Sequence, residues 1–124
     1  MEKQAVLVAS FDPNLADVRK HALESAGYLV VPAPDLLAVR SGCELGMIAL
    51  VVIGYSLPPN EKRRVWNEIR QVCGKATPIL ELYSHGTPIL AGEAVTAHSS
   101  QAPDDFVEQV RAVLNEAAPQ LRTA

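Results

Sequence analysis

Cysteine is scarce in this chain, with Cys43 and Cys73 the only two among 124 residues. Neither has a CxxC or Cys/His companion spacing, so a zinc site or a disulfide framework is not expected, and both read as buried free thiols. Nucleotide-binding glycine motifs are missing as well. No GxGxxG follows the first apolar segment and no GxxxxGK[ST] occurs anywhere, which removes the main support for dinucleotide and P-loop binding. No apolar run approaches the roughly 20 residues that a membrane span needs. Met1-Glu2-Lys3 leads straight into a short strand-like segment rather than a signal peptide, so the expectation is a cytoplasmic protein with no membrane partner. A basic excess is also absent: 11 Lys and Arg stand against 14 Asp and Glu, a net charge of −3, which argues against a nucleic-acid surface. The one basic cluster, Lys62-Arg63-Arg64, reads as a solvated helix face.

What is present suits one ordinary globular domain, with 48% hydrophobic and 20% charged residues. Two kinds of segment alternate along the chain. Residues 5–9 (AVLVA), 28–31 (YLVV), 48–53 (IALVVI), 78–82 (PILEL) and about 94–98 (AVTAH) are short and mostly apolar, and read as strands, the central ones covered on both faces. Between them the spacing turns helical. Asp12-Pro13 is a cap followed by proline at the first helical position; Leu15, Val18, Ala22 and Ala26 share one face, and Gly27 stops the helix. A short second helix is predicted over 35–41 before Gly42. A third starts after Asn60, carries Val65, Trp66, Ile69, Val72 and Cys73 on one side and ends at Gly74. The last runs from Pro103 and stacks Phe106, Val107, Val110, Val113 and Leu114 before Pro119 ends it. Strand and helix in alternation imply a parallel sheet with helices on both faces, over residues 1–118, followed by a frayed tail at 119–124. In such sheets ligands gather at the C-terminal ends of the strands.

Three stretches resemble the response-regulator receiver domain family: VLVASFDPNLADVRKHALESAGYLVV its opening, LVVIGYSLPP its phosphoacceptor strand with the Leu-Pro ending, and PDDFVEQVRAVL its last helix. The resemblance covers about residues 5–115. It implies a flavodoxin-like (CheY-like) three-layer sandwich with strand order 2-1-3-4-5. It also implies phosphoryl transfer to an aspartate, for which a hard Mg²⁺ ion needs carboxylates and the phosphoryl group needs a lysine and a switch hydroxyl. Carried over position by position, the acidic pair falls on Ser10 and Phe11, and the phosphoacceptor aspartate on Gly54. The switch hydroxyl falls on Tyr83, or on Ser84 one residue on. The lysine falls on Ser99 and the proline after it on Ser100. Asp12 alone keeps a carboxylate near the strand tips, and its place before Pro13 makes it a helix N-cap rather than a metal ligand. The stretch between Tyr83 and Ser99, broken by Gly86, Pro88 and Gly92, leaves one turn or nothing of the helix that the family places there.

The leading expectation is therefore a pseudo-receiver: a two-component signalling domain that takes no phosphoryl group, metal or cofactor and acts by binding a protein, whether a regulator, a kinase or an output domain. Its expected contact surfaces are the first helix near Arg19 and Lys20 and the region between the fourth and fifth strands. A second reading is a small-ligand sensor, for an anion or nucleotide, with Ser10, Gly54, Ser99 and Ser100 lining an uncharged cleft and the first and third helices pointing their N-termini at it. Catalysis is the third. Ser10 with His85 or His98 and Asp12 can be drawn as a triad, but no G-x-S-x-G elbow exposes the serine, so no enzyme is expected. His21 reads as exposed, His98 as packed at a strand end, and Tyr55 and Trp66 as packing residues.

Overall fold

The computed structural model describes residues 3–84, 87–92, 94–98 and 103–123. Five strands, β1 (Ala5–Ala9), β2 (Leu29–Ala33), β3 (Ile48–Ile53), β4 (Ile79–Tyr83) and β5 (Val95–His98), form one sheet in the order β2-β1-β3-β4-β5, and every pairing is parallel. This is the expected flavodoxin-like order. Because side chains alternate across a strand, the sheet divides its residues between two cores. Val6, Val8, Leu50, Val52, Leu80 and Leu82 pack with Leu23 and with Phe106, Val110 and Leu114 of the last helix. Leu7, Val51, Ile53 and Ile79 pack on the other face with Val39, Val65 and Ile69. β2 is an edge strand, and so tolerates Pro32, which has no N–H to give to a ladder.

Four helices cover the sheet: α1 (Pro13–Ser25), α2 (Leu36–Glu44), α3 (Pro59–Val72) and α4 (Pro103–Thr123). α1 opens as expected, with Asp12 Oδ1 accepting the Asn14 N–H at 3.0 Å, and ends at Gly27, whose φ is +96°. Its inward face differs from the expected one. Val18 is 57% exposed, and Arg19 is buried in line with Leu23. α2 is capped by Asp35, which accepts from Ala38 N. It does not stop at Gly42 but runs through it, and a Cβ there would run into Leu7 Cδ1, so the glycine lets the helix lie close to β1 without moving that side chain. α3 begins one residue before Asn60, with Pro59 at its first position and Pro58 as N-cap. It ends at Gly74 as expected, with φ +107° and Gly74 N donating to Ile69 O. α4 passes through Pro119 to Thr123 rather than ending at the proline as expected; near a helix end the proline removes one backbone bond without stopping the helix. No helix forms between β4 and β5 among the described residues.

Two further expectations are overturned. Cys43 and Cys73 are not free thiols but form a disulfide, with Cα atoms 4.8 Å apart. The C-terminal ends of α2 and α3 meet on one face of the sheet, a proximity between residues 30 apart that spacing rules do not register. The Lys62-Arg63-Arg64 run is not a solvated face. Lys62 is buried and ion-paired with Glu81, Arg63 donates to Ile89 O at 3.1 Å, and only Arg64, beside Glu61, stays at the surface.

Candidate functional site

β1 and β3 are neighbours in register, with Ala9 beside Ile53, so the loops that leave them start side by side. Gly54 N donates to Ala9 O at 2.8 Å and Ser10 N to Ala33 O at 3.2 Å, which fixes both tips. Ser10 is buried, and its hydroxyl turns into the loop to donate to Asp12 O at 3.3 Å. Phe11 and Asp12 are half-buried. Gly54 is buried, and its backbone has no positive φ to explain a glycine. Its surroundings are close. A Cβ at this position would lie 3.3 Å from Arg19 Nη1, 3.3 Å from Ala9 O and 3.4 Å from Ser10 Cβ. The guanidinium of Arg19 thus reaches the place from which a side chain at 54 would project.

Arg19 is only 9% exposed, and its Nη1 is fully enclosed with no acceptor. The guanidinium lies over the Tyr55 ring, 5.4 Å from the centroid, a contact that offsets part of the desolvation of a cation. Burial pushes the Arg19 pKa below arginine's ordinary value, while Tyr55 and Asp12 act in the opposite sense. The cleft between the β1 and β3 tips is therefore not uncharged, as the ligand-sensor reading expected, but carries one buried cation. For the same reason Arg19 does not belong to an exposed docking face; Lys20 beside it stays half-buried. Nothing in a motif identifies Arg19, although its position four residues before Leu23 puts it on the apolar stripe of α1.

Tyr83 and Ser84 stand at the tip of β4, where with Tyr55, Leu57, Lys62 and Ile89 they line a cavity of about 180 Å³. A second cavity, of about 270 Å³, opens on the other side between Ser10, Pro13, Lys20 and Pro34. Ser99, Ser100 and His85 lie outside the described residues. His98 is in β5 beside Tyr83, and His21 is exposed, as expected, with Asp17 at 3.8 Å. Among the described residues no three His, Cys, Asp or Glu side chains stand together in a group that could hold a metal ion.

The loop between β4 and β5 is held by a second buried polar group. Glu81 is 0% exposed and accepts three hydrogen bonds, from Lys62 Nζ at 2.9 Å and Ile89 N at 2.9 Å on Oε2 and from Leu90 N at 2.7 Å on Oε1, while Lys62 donates again to Leu82 O at 2.8 Å. The carboxylate so takes over two backbone N–H groups that a helix would otherwise have absorbed.

No family model matches the sequence, and no curated protein matches it. Solved structures do. The chain is similar to a response regulator receiver domain protein (CheY-like) from Methanospirillum hungatei, with 16% identity, a TM-score of 0.82, and 96% of this chain and 99% of that one covered. It is similar to the chemotaxis protein CheY4 of Vibrio cholerae, with 20% identity, a TM-score of 0.79 and coverage of 90% and 99%, and to a response regulator receiver protein from Sinorhizobium medicae, with 20% identity, a TM-score of 0.77 and coverage of 94% and 98%. At such identities the likeness shows a shared fold. The class is thus defined as a doubly wound α/β domain of the CheY-like receiver fold. Among the described residues no helix is long and apolar enough to cross a membrane.

Proposed function

We propose that the chain is a receiver-like signalling domain that takes no phosphoryl group and works by binding a protein partner, namely a kinase, a regulator or an output domain. The observation that carries this reading is Gly54. At the tip of β3, where the family resemblance places the phosphoacceptor, there is no side chain to accept a phosphoryl group, and the Arg19 guanidinium stands 3.3 Å from where a Cβ would be. A cation in that position repels Mg²⁺, and Ser10 and Phe11 offer no carboxylate to hold one. The receiver-like sheet supports a signalling role; the missing acceptor supports a role that does not wait for phosphorylation.

The experiment has two arms. Incubation with acetyl phosphate and Mg²⁺, followed by intact mass measurement, gives no covalent phosphoryl adduct; an adduct overturns the reading. Capture of partners from the native lysate then retains a kinase, a regulator or an output-domain protein to the same extent before and after that treatment. Retention that changes with acetyl phosphate, or retention of no protein of these classes, overturns the partner half. The reading puts the domain in the cytoplasm with such partners. The Cys43–Cys73 bond pulls the other way, because disulfides persist in oxidising compartments.

A further inference from the structure

Arg19 carries chemistry that partner binding leaves unused. A guanidinium has five donors in a planar fork, and a cation taken out of water is costly unless it is paired and hydrogen-bonded. Here Nη1 is enclosed without an acceptor, and the contact with the Tyr55 ring supplies no hydrogen bond. Arg19 is 9% exposed, and its Nη1 stands 3.3 Å from the place a Gly54 Cβ would take, a niche closed on its other sides by Ala9 O and Ser10. The fork matches the oxygens of phosphate or carboxylate groups, which bind it through paired, charge-assisted hydrogen bonds. Tyr55, a half-buried side chain whose ring carries the guanidinium, is also among the residues that line the cavity of about 180 Å³.

We propose that the Gly54 niche at the tips of β1 and β3 is the inner wall of a site for a small oxyanion, held without covalent chemistry by the Arg19 guanidinium. Tyr55 stands over the cation and moves to admit the ion. The sign of this site is opposite to that of a metal-loaded phosphoacceptor pocket: the fixed charge is the protein's cation, and the ligand brings the anion. The inference does not rest on the partner-binding reading, because reversible anion binding leaves no covalent adduct.

The test is a titration of the ¹⁵N-labelled chain with sodium phosphate, against sodium chloride at matched ionic strength, read at the Gly54 and Tyr55 amides and at Arg19 Nε. Expected are saturable shifts at these three positions with phosphate and not with chloride. Arg19→Gln removes the charge and weakens the apparent affinity at least about tenfold, as loss of a charge-assisted pair does. Gly54→Asp, which places a tethered carboxylate next to Nη1, competes with the ion and abolishes saturation, and it serves as the second variant if Arg19→Gln does not fold. Shifts that never saturate, shifts that chloride reproduces, or saturable shifts that persist in the folded variants overturn the proposal.

Discussion

Two buried cations flank the tip of β3, one on each face of the sheet, and they are treated differently. Lys62 of α3 has Glu81 at 2.9 Å and a backbone carbonyl at 2.8 Å, inside a network that also ties Ile89 and Leu90. Arg19 of α1 has a ring face and a glycine, and its enclosed Nη1 has no acceptor. A cation that is fully satisfied within the fold is part of the scaffold. One that is buried without an acceptor lowers stability and so draws attention to what it binds. The same division extends to the helices. The α2–α3 face is fastened by a disulfide and a buried ion pair, whereas among the described residues the α1–α4 face has neither.

The contrast can be broken or sharpened by four measurements. Lys62→Met leaves Glu81 buried and unpaired and lowers the free energy of unfolding in urea by about 3–5 kcal/mol; adding Glu81→Gln recovers part of the loss, because the amide oxygen still accepts one loop N–H. A loss under about 1 kcal/mol would reduce Lys62 to the level of a surface pair. Next in size is the disulfide. Reduction, or Cys43→Ser with Cys73→Ser, costs about 3–4 kcal/mol for a loop closed by residues 30 apart. An unreduced protein whose two thiols both react with an alkylating reagent would restore the free-thiol expectation. Gly42→Ala drives a Cβ against Leu7 Cδ1 in a fully buried setting and costs about 1–3 kcal/mol in the same urea assay; Leu7→Val in the same chain relieves it. Smallest is Arg19→Met, which replaces an orphaned cation by an apolar side chain of similar length and stays within about 1 kcal/mol of the parent, neutral or stabilising. A cost comparable to that of Lys62→Met would show that Arg19 is a structural partner after all and would erase the contrast.

Much of the fold was legible because it is written in local pattern. IALVVI and AVLVA are apolar without a break, as strands buried on both faces are, and Asp12-Pro13 and Gly74 mark helix ends through side-chain capping or positive φ. Gly42 misled for a physical reason: a glycine required by close packing of α2 on β1 looks the same in sequence as one required by a turn. The Cys43–Cys73 pair and the Lys62–Glu81 pair were invisible because each joins residues far apart in the chain. Glu81 nevertheless left a trace, as the single charge in PILEL, a run otherwise fit for a buried strand; a carboxylate there demands a cation from a neighbouring element. At the candidate site the sequence identified Gly54 as a position without an acceptor but not what fills the space. Arg19 was read as surface because arginine usually is, even though its spacing to Ala22, Leu23 and Ala26 puts it on the buried side of α1.

The loop after β4 has one more consequence. Its Ile89 and Leu90 amides are bonded to a carboxylate in the core, with no solvent-facing ladder that can fray. Deuterium exchange at these two positions therefore requires the Glu81 network to come apart, so two amides outside every described helix and strand exchange as slowly as the centre of the sheet, while ordinary loop amides exchange by local opening.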